Sequence, residues 1–280
     1  MGLISLLIAL AAEKKLSSPF WQFNNAFSHY MAYTKQLDMH NKVKGTLLPL
    51  ILIGVPVAIC LVVLKLIDDS LLHLILSTII LIICFGCVKT REVYKQYLHS
   101  AFRGESTTCD LHYQQLISDK NLPALGFGQT LIWLNYRYYI AIMLFFVVFG
   151  AAGALFYRLL CCLNEQQQIM KQEDDESLAI TSTYEKVLFW VDWLPVRLAT
   201  FGFVLVGHFS KAFPVWLENV ADIDKRPQCV LVDVGKQAED IMVDESDCTL
   251  EPCLLVRLAK RNVLLLLASV AALTLTGIIY

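Results

Sequence analysis

Long unbroken apolar runs set the pattern of this chain, in place of the alternations and half-polar faces that soluble elements show. Thr46 to Leu64, TLLPLILIGVPVAICLVVL, carries no charge before Lys65. A hydrocarbon layer near 30 Å takes about 20 helical residues at about 1.5 Å each, so this run predicts a membrane-spanning helix. Pro49, Gly54 and Pro56 would weaken such a helix in water, but a bilayer tolerates them where neighbouring helices satisfy the freed backbone groups. Leu71 to Val88 follows after Ile67-Asp68-Asp69-Ser70, and the acidic tetrapeptide predicts a tight helical hairpin. Tyr138 to Leu163 holds a single charge, Arg158, near its far end. Val263 to Tyr280, led in by Lys260-Arg261, predicts a last span that ends on an aromatic residue at the opposite interface.

Two stretches are ambiguous by pattern. Val187 to Phe209, VLFWVDWLPVRLATFGFVLVGHF, is apolar but holds Asp192, Pro195 and Arg197 in its middle. A charge at the bilayer centre costs at least about 2.5–3.5 kcal/mol on insertion scales, so the segment either spans with its charges paired inside a bundle or lies in the interface. The first dozen residues are apolar but short for a span, and Glu13-Lys14-Lys15 come after them. A secretory signal has its positive charge first, so cleavage is not expected.

Lysine and arginine near the span ends predict orientation. Lys35, Lys42 and Lys44 precede the first run and Lys89, Arg91 and Lys95 follow the second, while the turn between them is acidic. This places a lead-in at residues 1–45 and a helical region at 89–137 in the cytoplasm, on either side of a transmembrane hairpin at 46–88. A transmembrane helix at 138–163 then leads to an acidic periplasmic loop at 164–186. If 187–209 crosses back, Lys211 and the whole 210–262 region with Lys225, Arg226, Arg257, Lys260 and Arg261 are cytoplasmic, and 263–280 is the final helix. Every basic cluster then falls on one side. The expected architecture is an all-α polytopic membrane bundle of four or five transmembrane helices.

Composition sharpens this reading. Of 280 residues 56% are hydrophobic and 17% charged, against roughly 45–50% and about 25% in soluble domains, so only lipid can cover the remaining apolar surface. A net charge of −2 provides no field to attract nucleic acid. Within 89–137, Val93, Tyr97 and Ala101 have helical spacing before a break at Arg103-Gly104-Glu105. Cys229 to Val234, CVLVDV, has strand-like content but no neighbouring strand. Gly150, Ala151 and Ala154, and Ala268 and Ala272, have the small-residue spacing that lets membrane helices approach.

Candidate chemistry is sparse. Cys84-Phe85-Gly86-Cys87 has the spacing of thiol redox centres, but it sits in an apolar run where a thiolate is disfavoured, and small packing residues are the plainer reading. The six histidines show no metal-ligand spacing, and neither a phosphate-binding loop nor a dinucleotide fingerprint is present. No metal and no cofactor is therefore expected. Asp192 and Arg197, framed by Trp190 and Trp193, are the most informative polar residues. Ionisable groups in a membrane segment are functional candidates by default, and the plain alternative is a structural ion pair. Gly207-His208 with Lys211 is a candidate site for an anion or a lipid headgroup.

Three stretches carry a family resemblance: Leu131 to Tyr139, LIWLNYRYY; Asp192 to Leu198, DWLPVRL; and Gly207-His208 through Lys211 to Trp216, KAFPVW. Together they resemble the AmpE family, inner-membrane proteins associated with β-lactamase regulation in Gram-negative bacteria. Gly153 to Arg158 and Leu194 to Leu198 are similar, more distantly, to CobD and CbiB, the membrane enzymes that join aminopropanol phosphate to adenosylcobyric acid. The chain departs from those enzymes where they carry acids: here stand Leu134, Tyr138 and Tyr139, and Leu159 to Leu163 follows Arg158. The resemblance thus implies the scaffold more strongly than the reaction, and a non-enzymatic regulator of β-lactamase induction linked to peptidoglycan recycling. A synthase-like enzyme and a non-catalytic structural membrane protein are the alternatives. The candidate ligand-binding residues are Asn135, Arg158, Asp192, Arg197 and His208. Expected partners are the lipid bilayer, a small ligand of muropeptide-like or corrinoid-like chemistry, and another membrane protein, with no nucleic acid.

Overall fold

The computed structural model describes residues 2–13, 15, 21–36, 47–120, 122, 125–173, 178–239 and 249–277, with side chains left aside at 35, 47–50 and 169–183. Lys42 and Lys44 of the orientation argument, and the centre of the acidic loop at 174–177, lie outside them. The described residues are helical and contain no strand, as the apolar runs predict. The order is α1 (Gly2–Glu13), α2 (Phe23–Gln36), α3 (Leu47–Leu66), α4 (Ser70–Cys84), α5 (Val88–Phe102), α6 (Ser106–Lys120) and α7 (Phe127–Asn135). A π-helical turn at Tyr136–Ile140 leads into α8 (Ala141–Glu173), followed by α9 (Leu178–Val206), α10 (Phe209–Ala221), α11 (Pro227–Ala238) and α12 (Leu250–Leu275). Three helical stretches are long and apolar enough to cross a membrane, Phe127–Gln168, Tyr184–Val206 and Leu250–Leu275. Ser70–Cys84 with Val88–Phe102 makes a fourth if the two are one broken span, and Ile51–Leu66 and Gly2–Glu13 are shorter apolar helices.

The chain divides into two compact units, the first comprising Met1–Gly86, Ala141–Leu188 and Val270–Tyr280, the second Cys87–Ile140 and Phe189–Ser269. In the first, α1 packs on α4, and both α3 and α4 pack on α8. Asp69 starts α4 as its N-cap, the carboxylate accepting the Leu71 N–H at 2.9 Å, so the acidic turn of the hairpin has a local structural task. The Tyr30 hydroxyl of α2 donates to the Leu52 carbonyl of α3 at 3.0 Å. Glu13 is buried against Gly86, where a Cβ would come within 2.2 Å of its carboxylate and where φ is +78°. The Cys84 to Cys87 spacing therefore falls at the end of α4, inside a glycine-dependent break.

Within α8 the expected single span is interrupted. Gly150 takes φ +69° and ψ −162°, a conformation essentially confined to glycine, and two helical segments meet there. Gly150 does not serve as the close helix contact expected of it: nothing lies within 4 Å of where its Cβ would be. Ala151 and Ala154 are buried, but Ala268 and Ala272 are exposed, because that face of α12 meets no other described helix.

In the second unit, α5 and α6 pair across a turn at Arg103–Glu105, where Gly104 takes φ +73°. Val93, Tyr97, Cys109, Leu116, Phe127, Leu131, Leu134 and Tyr138 form one buried cluster, with the Tyr97 and Phe127 rings stacked at 3.8 Å. CVLVDV, strand-like by content, is the middle of α11: Pro227 at its first turn presets the helical φ, and Val230, Leu231, Val234 and Ala238 make a buried stripe of helical period. Helix α11 packs on α10 and α7.

Candidate functional site

Helix α9 sorts its residues by face. Trp190, Leu194, Leu198, Phe201 and Leu205 form an exposed apolar stripe at steps of three and four, as a lipid-facing surface should. Asp192, Val196, Ala199 and Phe203 occupy the opposite, buried face. The costly carboxylate thus points away from lipid. It accepts a hydrogen bond from the Tyr136 hydroxyl at 2.8 Å, and Asp192 is only 2% exposed. Tyr136 begins the π-helical turn, and such turns, which widen the helix by one residue, recur at functional sites.

Around this contact the second unit gathers further buried polar groups. Trp133 and Tyr136 stack with centroids 5.3 Å apart, and the Arg137 guanidinium lies 4.9 Å from the Trp133 ring. Lys120 places its ammonium 4.9 Å from the Tyr138 ring. Such cation–π contacts gain up to about 2 kcal/mol when desolvated. Asn135 Oδ1 is buried and has no hydrogen-bond partner among the described residues, and the same holds for Trp193 Nε1. An unsatisfied buried polar atom costs about 1–3 kcal/mol and calls for a reason.

Arg197 does something other than neutralise Asp192. Its Nε donates to the Val220 carbonyl at 3.1 Å and its Nη1 to Trp193 at 2.9 Å. Its Nη2 donates to Asn219 and closely to Asp222. Its guanidinium also lies 4.0 Å from the Trp193 ring. Three of these carbonyls close α10, where the last turn leaves acceptors without intrahelical donors and the helix dipole is negative. The arginine caps one helix from the middle of another. Trp216 returns a bond, its Nε1 donating to the Arg197 carbonyl at 3.2 Å.

His208 is exposed and starts α10, with no capping bond from its side chain. Its backbone N–H donates to the Ala238 carbonyl at 2.7 Å. Gly207 makes that approach feasible, since a Cβ there would meet the same carbonyl oxygen at 2.5 Å. Arg158 belongs to the first unit, 2% exposed, with its guanidinium 5.2 Å from the Phe23 ring. The structure thus places Asn135, Asp192, Arg197 and His208 in one unit and Arg158 in the other. Isolated charges in apolar runs do not point to Tyr136 and Arg137, whose signal is the aromatic density of LIWLNYRYY, nor to Lys120, which ends a polar helix and carries no such signal. Among the described residues no group of three histidine, cysteine, aspartate or glutamate side chains is placed to hold a metal ion.

A family model described as regulatory signalling modulator protein AmpE matches residues 1–280. Protein AmpE of Shigella flexneri is 24% identical over 291 aligned residues, covering 99% of each chain. No solved structure matches.

Proposed function

The chain belongs to the AmpE family of regulatory signalling modulator proteins, and from that premise we propose that it adjusts induction of a β-lactamase from the inner membrane of a Gram-negative bacterium, in response to peptidoglycan turnover. The match over the full length, 1–280, carries this reading. The apolar helices support a multi-pass membrane protein.

The proposed sensing site is the polar cluster of the second unit. Asn135 Oδ1 contributes an unused acceptor and Trp193 Nε1 an unused donor, beside the Tyr136–Asp192 contact. A ligand with amide or hydroxyl groups, of the muropeptide kind, satisfies both. Arg197 then couples the site to α10, because Trp193 and the end of α10 share its guanidinium. In this reading Arg158 and His208 act outside that core, the first within the other unit and the second at the exposed start of α10.

The test is deletion of the gene followed by β-lactam challenge, with a parallel growth assay that requires cobalamin synthesis. Altered induction with normal cobalamin-dependent growth is the expected result. A cobalamin defect with normal induction would overturn it in favour of a synthase-like enzyme. Complementation with Asp192→Asn and Arg197→Gln should fail at unchanged membrane abundance; reduced abundance alone makes these residues structural.

A further inference from the structure

The first unit holds a cavity of about 350 Å³ that the family reading leaves without a task. Sites for small ligands are typically about 300–1,000 Å³ and mostly apolar, with a few placed polar groups. This one fits that description. Leucines of α3 and α4 and Phe146 of α8 line it, and its polar lining comes from Ser5, Lys65, His73 and Ser77. No carboxylate is among the lining residues.

Two features distinguish it from a packing gap. Ser5 and Ser77 are 1% and 6% exposed, so the cavity wall carries two hydroxyls shielded from bulk solvent. Thr78, next to Ser77 on α4, donates its hydroxyl to the Leu74 carbonyl at 2.7 Å, whereas Ser5 and Ser77 turn to the cavity as donors for a bound acceptor. The second feature is Gly150, which lines the cavity at the break in α8 and leaves open space where a side chain would stand. Interrupted membrane helices are tolerated where they line cavities, and such breaks mark binding sites in transporters.

The lining selects the chemistry. Lys65 supplies an ammonium, His73 adds an N–H donor, and the serines add two hydroxyl donors. His73 and Ser77 are one helical turn apart on α4 and so share a face. Four donors, one positive charge and no acid suit an oxyanion with several acceptor oxygens, and the apolar remainder suits a hydrocarbon chain. We propose that this cavity binds a lipid phosphate, its head held by Lys65, His73, Ser5 and Ser77 and its chain laid against Phe146 and the leucines. The proposal does not depend on the cluster of the second unit.

The test uses the full chain, delipidated in an uncharged detergent, with binding read by native mass spectrometry and calorimetry. The probes are phosphatidylglycerol and dodecyl phosphate, with diacylglycerol and dodecanol as phosphate-free counterparts and inorganic phosphate as the chain-free one. One or both phosphate lipids should bind at least about tenfold more tightly than every counterpart. Binding of phosphatidylglycerol alone identifies a bilayer phospholipid as the source, and of dodecyl phosphate alone a single-chain lipid. Lys65→Gln, at an exposed side chain, should weaken binding about tenfold, and Ser77→Leu should weaken it as strongly at unchanged melting temperature. Should Ser77→Leu fail to fold, Ser5→Ala takes its place. Absence of binding, equal binding of the phosphate-free lipids, equal binding of inorganic phosphate, or indifference to Lys65→Gln overturns the proposal.

Discussion

Single glycines in this chain do different physical work, and substitutions separate them. Gly150→Ala meets no atom within 4 Å, so its cost is pure backbone strain at φ +69°, about 1–3 kcal/mol. Gly54, in the middle of α3 and equally unobstructed, should gain up to about 1 kcal/mol on the same change. Thermal melts of the two variants in one detergent should therefore move in opposite directions. Gly202 is different again: a Cβ there would lie 2.1 Å from Asn262 Oδ1, and Asn262 is held by its Nδ2 bond to the Ala199 carbonyl at 3.0 Å. Gly202→Ala should cost about 1–3 kcal/mol, and Asn262→Ala added to it should recover part of that loss, which a double-mutant cycle reads directly. For the buried acid, Tyr136→Phe removes the donor at 2.8 Å and should cost about 1–3 kcal/mol, measured by denaturant unfolding.

Among the elements, α10 leans heavily on its neighbour α9. Its aromatic residues form a ladder, Phe209 on Phe213 at 5.1 Å, Phe213 on Trp216 at 6.1 Å and Trp216 on Phe201 of α9 at 5.1 Å, while Arg197 binds its terminal carbonyls. Arg197→Gln should raise hydrogen exchange at residues 219–222 more than elsewhere in α9 and α10, and Arg197→Lys should not restore protection, because an ammonium cannot span several carbonyls as the planar fork does. Exchange left unchanged by both variants would refute the capping role. The sequence was a good guide to the helical class, but the apolar run at 46–64 gives a shorter apolar helix at Ile51–Leu66, and the run at 71–88 ends at Cys84, where the chain bends by 45°. It was a poor guide to α11, because six residues of CVLVDV look alike in a strand and in a buried helix, and the distinguishing stripe needs Ala238 as well. The break at Gly150 was equally hidden: Gly150 and Gly153 sit in the same small-residue patch, and only tertiary context selects which one leaves the helical region.

For the whole molecule, the basic flanks make a single orientation testable. Reporter fusions after Asp68, Gln167 and Val230 should report outside, outside and cytoplasm, and an external Val230 would reverse the assignment of the region after α9. The candidate site was partly legible at this scale. Charges inside apolar runs are visible in sequence because the bilayer makes them expensive, so Asp192 and Arg197 stood out. Their partners did not, because a tyrosine hydroxyl or a run of backbone carbonyls leaves no charge pattern to read. The division into units has a consequence in time as well as in space. The first unit takes residues 270–280 from the end of the chain, and Val270, 5% exposed, lines its cavity beside Gly2 and Leu3. During synthesis, the amino-terminal helices therefore form before Val270 is available, and this cavity lacks its Val270 side until that segment has emerged. A nascent chain arrested before residue 270 should be more open to proteolysis and to modification at position 5, probed with Ser5→Cys, than the completed protein.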